Sequence, residues 1–73
     1  MNMARRARRA TRLTQRAFAH LIGTSHVTVA RWEAGHRLPP APTRALLELI
    51  VSLPGPCLRV LSELPDRDEE PIR

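Results

Sequence analysis

No lysine occurs in this chain, although 12 of its 73 residues are basic. Every fixed positive side chain is therefore an arginine, whose planar guanidinium makes two-pronged contacts to phosphate and guanine that an ammonium cannot copy. A codon usage that favours arginine is the plain alternative. A single cysteine, Cys57, excludes an internal disulfide and fits a reducing compartment. It lies in an apolar run and reads as a small core residue. Aromatics amount to one Phe and one Trp, which leaves nothing exposed on which RNA bases would stack. The three histidines, His20, His26 and His36, lack Cys or acidic partners at metal-ligand spacing, so no metal is expected. No glycine-rich phosphate loop and no activated nucleophile is present, so no catalytic residue and no cofactor is expected either. No apolar run approaches the roughly 20 residues that span a bilayer. No apolar signal-peptide core follows the basic MNMARRARRA. The expectation is a soluble, cytoplasmic protein without a membrane role.

Acid is scarce where base is plentiful. Residues 1–46 carry nine Arg against one acid, Glu33, a balance of +8; residues 47–73 carry three Arg against six acids, −3; the two sum to the +5 of the whole chain. A basic half with a pI near 11.5 for the chain points to a polyanion, nucleic acid or anionic lipid. A chain this short forms one domain with a small core, and a partner subunit would help stabilise it.

The pattern is all-α: five helices at about 3–11, 15–22, 26–34, 42–53 and 56–64. The first is Ala and Arg almost throughout, both strong helix formers. Ala4, Ala7, Ala10 and Thr11 give it a narrow apolar face, so weak anchorage is expected. Thr14 is a natural N-cap, followed by Ala17, Phe18, Leu21 and Ile22 at helical spacing. Gly23 ends that helix in the left-handed conformation that costs glycine nothing. Ser25 caps the next, with Val29 and Trp32 inward and Gly35 at its close. Pro39 and Pro40 exclude helix in the linker, and Pro42 suits the first turn of the fourth helix. That helix offers a core stripe of Ala45, Leu46, Leu49, Ile50 and Leu53, with Leu47 and Val51 widening the apolar surface. Pro54-Gly55-Pro56 is read as its breaker. The last helix follows with Cys57, Val60, Leu61 and Leu64 on one face and Leu58 in addition. Residues 1–65 form the expected domain, and 66–73 an acidic disordered tail.

Two short helices joined by a glycine turn are a helix-turn-helix. The spacing is demanding: Phe18 and Ile22 inward, Ala19 small where the helices cross, Gly23 at the turn, Val29 and Trp32 packing back. Leu13-Thr14-Gln15, Phe18-Ala19, Ile22-Gly23 and Arg31-Trp32-Glu33-Ala34-Gly35 resemble the lambdoid repressor and Cro family of helix-turn-helix domains, also called XRE-like. The resemblance covers residues 3–53. It implies dimeric operator binding and transcriptional repression. The chain departs from the family at Ala4 and Ala7, where larger residues are usual. It departs again at Arg12, where a glycine often ends the first helix. An arginine at positive φ costs about 1 kcal/mol, which predicts a different turn there.

Carried over by this resemblance, His26, Val27, Thr28 and Arg31 face the major groove. Arg31 can take guanine O6 and N7 together, and Val27 can meet a thymine methyl. Gln15, Arg16, Ser25, His36, Arg37 and Arg8 are the candidates for backbone phosphate. The bland readings stand beside these: a surface ion pair for Arg31, solvated faces for His26 and the Arg5–Arg12 run, and a local hydrogen bond for Thr28. Trp32 reads as core and Glu33 as the partner of an arginine, Arg37 being the first candidate.

One helix reads about four base pairs, so family members pair across half-sites about 10 bp apart. Leu47, Ile50, Val51, Leu58 and Leu61 are the candidate homodimer surface; the other reading is that the fifth helix folds back to complete the core. The function expected is a sequence-specific repressor of its own operon on a palindromic duplex-DNA operator, of the phage, mobile-element or anti-CRISPR-associated kind. The alternative is an antitoxin that binds a toxin protein and autorepresses. A membrane-surface role fails because the first helix has charge but almost no large apolar residue.

Overall fold

The computed structural model describes residues 2–64. It contains α1 (Met3–Thr11), α2 (Gln15–Ile22), α3 (His26–Ala34), α4 (Ala41–Ser52) and α5 (Pro54–Ser62), and no strand among the described residues. The expected tail at 66–73 lies outside them.

The first three helices are bounded by local chemistry. Asn2, Thr14 and Ser25 are extended, and each side-chain oxygen accepts from the amide three residues on: Arg5 at 3.0 Å, Ala17 at 3.1 Å and Thr28 at 3.1 Å. Each such cap stabilises its helix by about 1 kcal/mol. The same helices end on left-handed residues, Arg12 (φ 64), Gly23 (φ 85) and Gly35 (φ 82). The altered turn expected at Arg12 is therefore not found. The arginine takes the conformation a glycine would have taken.

Pro54-Gly55-Pro56 does not separate α4 from α5 as expected. All three residues lie in the first turn of α5, where amides have no intrahelical partner and proline costs little. The break is one residue, Leu53 (φ −135, ψ 66), whose amide still closes α4 on the Leu49 carbonyl at 2.8 Å.

Ala4, Ala7, Phe18, Ala19, Val29, Trp32, Leu47 and Ile50 form the core. Helix α1 is its hub: it touches each of the other four helices, and α4 most extensively. The weak anchorage expected of it is overturned. Ala4 and Ala7 are fully buried because their small side chains let α1 approach its neighbours closely. Polar ties add to this: the Asn2 side-chain amide donates to the Trp32 carbonyl (2.7 Å) and the Glu33 carbonyl (3.2 Å). Ala10, expected inward, is exposed.

The inward face of α4 is also rotated from the expected one. Leu47 and Ile50 are wholly buried, Leu46 and Val51 half-buried, and Ala45, Leu49 and Leu53 exposed. Leu47 and Ile50 hence cannot serve a dimer surface, because they already fill the space beneath α1. Helix α5 packs back on α1, α2 and α4 and contributes half-buried Cys57, Leu58 and Leu61.

Candidate nucleic-acid interface

The geometry of the helix pair is set by a buried acid. Glu33, in the last turn of α3, accepts from Arg8 Nε at 2.6 Å and Arg8 Nη2 at 3.0 Å. It also accepts from Gln15 Nε2 at 3.2 Å, and Arg5 Nε stands 3.7 Å away. One carboxylate thus joins α1, the start of α2 and the end of α3. Burial opposes its ionisation, yet the hydrogen bonds from Arg8 and Gln15 and the charges of Arg8 and Arg5 outweigh burial and hold its pKa below the usual value. The Arg8 guanidinium is raised in turn, chiefly by its hydrogen bond to Glu33.

Arg8, expected to face phosphate, is committed within the fold. Both edges of its guanidinium are engaged, the second on the Leu13 carbonyl at 3.1 Å. Arg37, expected as the partner of Glu33, is exposed and makes no such pair. Gln15 is pinned through one amide hydrogen, which leaves the second for an incoming acceptor.

With Val29, Trp32 and Glu33 turned inward, the opposite face of α3 is fixed. Val27 is 48% exposed, and Arg31, one turn on, is exposed as well. His26 is half-buried at the helix start. Thr28 is half-buried, and its hydroxyl lies 2.9 Å from that of Ser25. Ser25 spends its own oxygen on the Thr28 amide. Arg16, His36 and Arg37 are exposed, and Arg37 shares a cleft with Thr28 and Arg31.

Beside α3 runs an open cleft of about 570 Å³, walled by the glycine turn on one side and the linker to α4 on the other. Thr24, Thr28, Arg31, Arg37 and Thr43 line it, so its polar lining is hydroxyls and guanidiniums with no acid. Such a surface suits an anionic backbone beside base edges.

A helix-turn-helix family model matches residues 5–50. The chain belongs to this helix-turn-helix family. It is a DNA-binding regulator of the XRE type, a domain that acts by binding rather than by catalysis. The matched span runs from α1 through most of α4 and leaves α5 outside. Comparison with curated proteins and with solved structures returned no match. No helix among the described residues is long and apolar enough to cross a membrane.

Two contributors to the helix-turn-helix geometry were not foreseen. Asn2 clamps the end of α3, and the signal available was its type, since Asn ahead of an Ala-rich helix is a good cap. Arg8 is the other. It stands four residues after Ala4 and three before Thr11, hence on the buried face of α1.

Proposed function

We propose that this regulator is a sequence-specific repressor that binds duplex DNA as a homodimer on an inverted-repeat operator and acts on its own operon. The observation that carries the reading is the exposed pair Val27 and Arg31 on α3, whose other face is immobilised by Trp32 and the Arg8–Glu33 pair. Arg31 takes a guanine edge, Val27 a thymine methyl, and His26 a base or a phosphate. Gln15, Arg16, Ser25, His36 and Arg37 hold the flanking backbone. A helix that reads few base pairs needs a second copy to select one genomic site.

The surface proposed for the second copy is at α4 and α5, as the hydrophobic pattern suggested, without the buried Leu47 and Ile50. Leu49, Leu53 and Val60 are each about half exposed and border an entirely apolar groove of about 250 Å³ with Leu46, Pro56, Cys57 and Leu61. Val51 on α4 and Leu58 on α5 are half-buried and belong to the same two helices. A contiguous apolar patch at α4 and α5 on so small a protein fits a two-fold contact with its own copy.

Selection of bound sequences from random duplex DNA tests the reading. The expected product is an inverted repeat whose half-sites lie about 10 bp apart, or a multiple of that. A product without symmetry, or no enrichment at all, would count against it. Co-purification of a second small protein on the α4–α5 groove would favour the antitoxin reading instead.

A further inference from the structure

Among the described residues, Arg12 is the one non-glycine residue at positive φ. The conformation is required: at φ 64 and ψ 25 its amide reaches both the Arg8 carbonyl (3.0 Å) and the Arg9 carbonyl (3.1 Å), which closes α1. The equivalent closures of α2 and α3 fall to Gly23 and Gly35. A glycine at position 12 would close α1 without the crowding of a Cβ atom. Among the described residues nothing rewards the arginine, because its side chain is exposed and makes no hydrogen bond or ion pair with them.

Its surroundings carry the same sign of charge. Arg9 in the last turn of α1 and Arg16 in the first turn of α2 are exposed and likewise unpaired. The sole acid of residues 1–46, Glu33, is already taken by Arg8, Gln15 and Arg5. Three exposed arginines thus fall between the last turn of α1 and the first turn of α2, with no carboxylate paired to them among the described residues. A strained residue that the rest of the fold holds in place, and that projects uncompensated charge, marks a site of contact rather than of packing.

We infer that Arg12 is a phosphodiester-binding residue of the DNA interface, kept at the α1–α2 corner although a glycine would serve the fold better. The inference rests on the duplex-DNA reading above. It adds a contact outside the helix-turn-helix proper, between the basic face of α1 and the backbone that α2 approaches. It is blind to sequence, so it contributes affinity and register but no base preference.

The test compares the full-length wild type with Arg12→Gly on a random-sequence duplex of about 24 bp across a salt series, with thermal melting of each protein alone. Arg12→Gly should bind several-fold more weakly. Its plot of log affinity against log salt should flatten by about 0.9 for each bound protomer, the value of one phosphate contact. Its melting temperature should equal that of the wild type or exceed it by about 4 °C. Arg59→Ala, which removes the same charge from the exposed face of α5, should leave the slope unchanged. A wild-type slope in Arg12→Gly overturns the contact, and an equal flattening in Arg59→Ala reduces it to net charge. A melting temperature clearly below wild type overturns the claim that glycine serves the fold better. A wild type that fails to bind duplex DNA removes the proposed function along with this inference, whereas a binding wild type with an unchanged Arg12→Gly removes this inference alone.

Discussion

Arg8 and Glu33, 25 residues apart in the chain, meet through two parallel hydrogen bonds of 2.6 and 3.0 Å, with the Glu33 side chain 97% shielded from solvent and that of Arg8 78%. The fork geometry of the guanidinium matches the carboxylate, so the pair fixes orientation as well as proximity. Removing one partner leaves the other charged and largely desolvated. Glu33→Gln should accordingly destabilise the fold by about 3 kcal/mol at neutral pH, measured by urea unfolding. A loss under about 0.5 kcal/mol would put the pair among ordinary surface contacts.

The same carboxylate makes stability depend on acid. Its folded-state pKa is depressed, so its contribution is complete above the unfolded-chain value of about 4.3 and disappears as pH falls through the lower folded value. Wild type should lose stability more steeply than Glu33→Gln below about pH 4, and the two curves should converge. Parallel curves through that window would contradict the assignment.

Ala7 has no accessible surface at all. A larger residue there would seem to strengthen a thin helix by adding apolar area. The close approach of α1 to its neighbours gives the opposite expectation: Ala7→Leu overpacks the core and destabilises by about 1–3 kcal/mol. Thermal melting decides, and a rise in melting temperature would show that α1 has room to spare.

Arg31→Ala should cost about 1–3 kcal/mol of operator affinity and relax preference at one base pair per half-site, with the fold unaffected. Competition binding against single-base operator variants reads both quantities. Normal affinity with unchanged preference would move base recognition elsewhere on α3.

Leu47, inside α4, and Leu53, at the break that follows it, should behave in opposite ways. Leu47→Ala empties a fully buried position and should destabilise the protein by about 2–5 kcal/mol. Leu53→Asp alters a half-exposed position and should leave melting of the monomer near wild type while abolishing association. Sedimentation at micromolar concentration should show twice the 8.2 kDa chain mass for wild type and one chain mass for Leu53→Asp. A wild type that sediments as a single chain would end the homodimer proposal.

What could be read from residues alone was what is local. Thr14, Ser25, Gly23 and Gly35 bound α2 and α3 by chemistry confined to three or four residues, and Val29 and Trp32 point inward at unambiguous spacing. What escaped depends on neighbours distant in sequence. Six large apolar residues crowd positions 46–53, in and just after α4, so periodicity alone selects no face, and the approach of α1 is what chose Leu47 and Ile50. Alanines on α1 looked like missing anchors because close backbone packing leaves no trace in hydrophobicity. Among four arginines on one short helix, spacing sets Arg8 beside Ala4 and Thr11, but its partner Glu33 comes from α3, 25 residues on, while Arg6 and Arg9 are exposed.

That α1 touches every other helix, and α4 above all, bears on how the chain acquires its shape during synthesis. The packing of α1 waits for α4, which ends at Ser52, and is complete only with α5. Until then the alanine face of α1 has little to rest on, and the loop to be closed spans most of the domain. A nascent chain that has just completed α3 thus has the exposed face of that helix and the Arg8–Glu33–Gln15 tie, but lacks Leu47 and Ile50, the α4 side chains that complete the core. Competence to bind DNA should arrive abruptly with α4, not accumulate helix by helix.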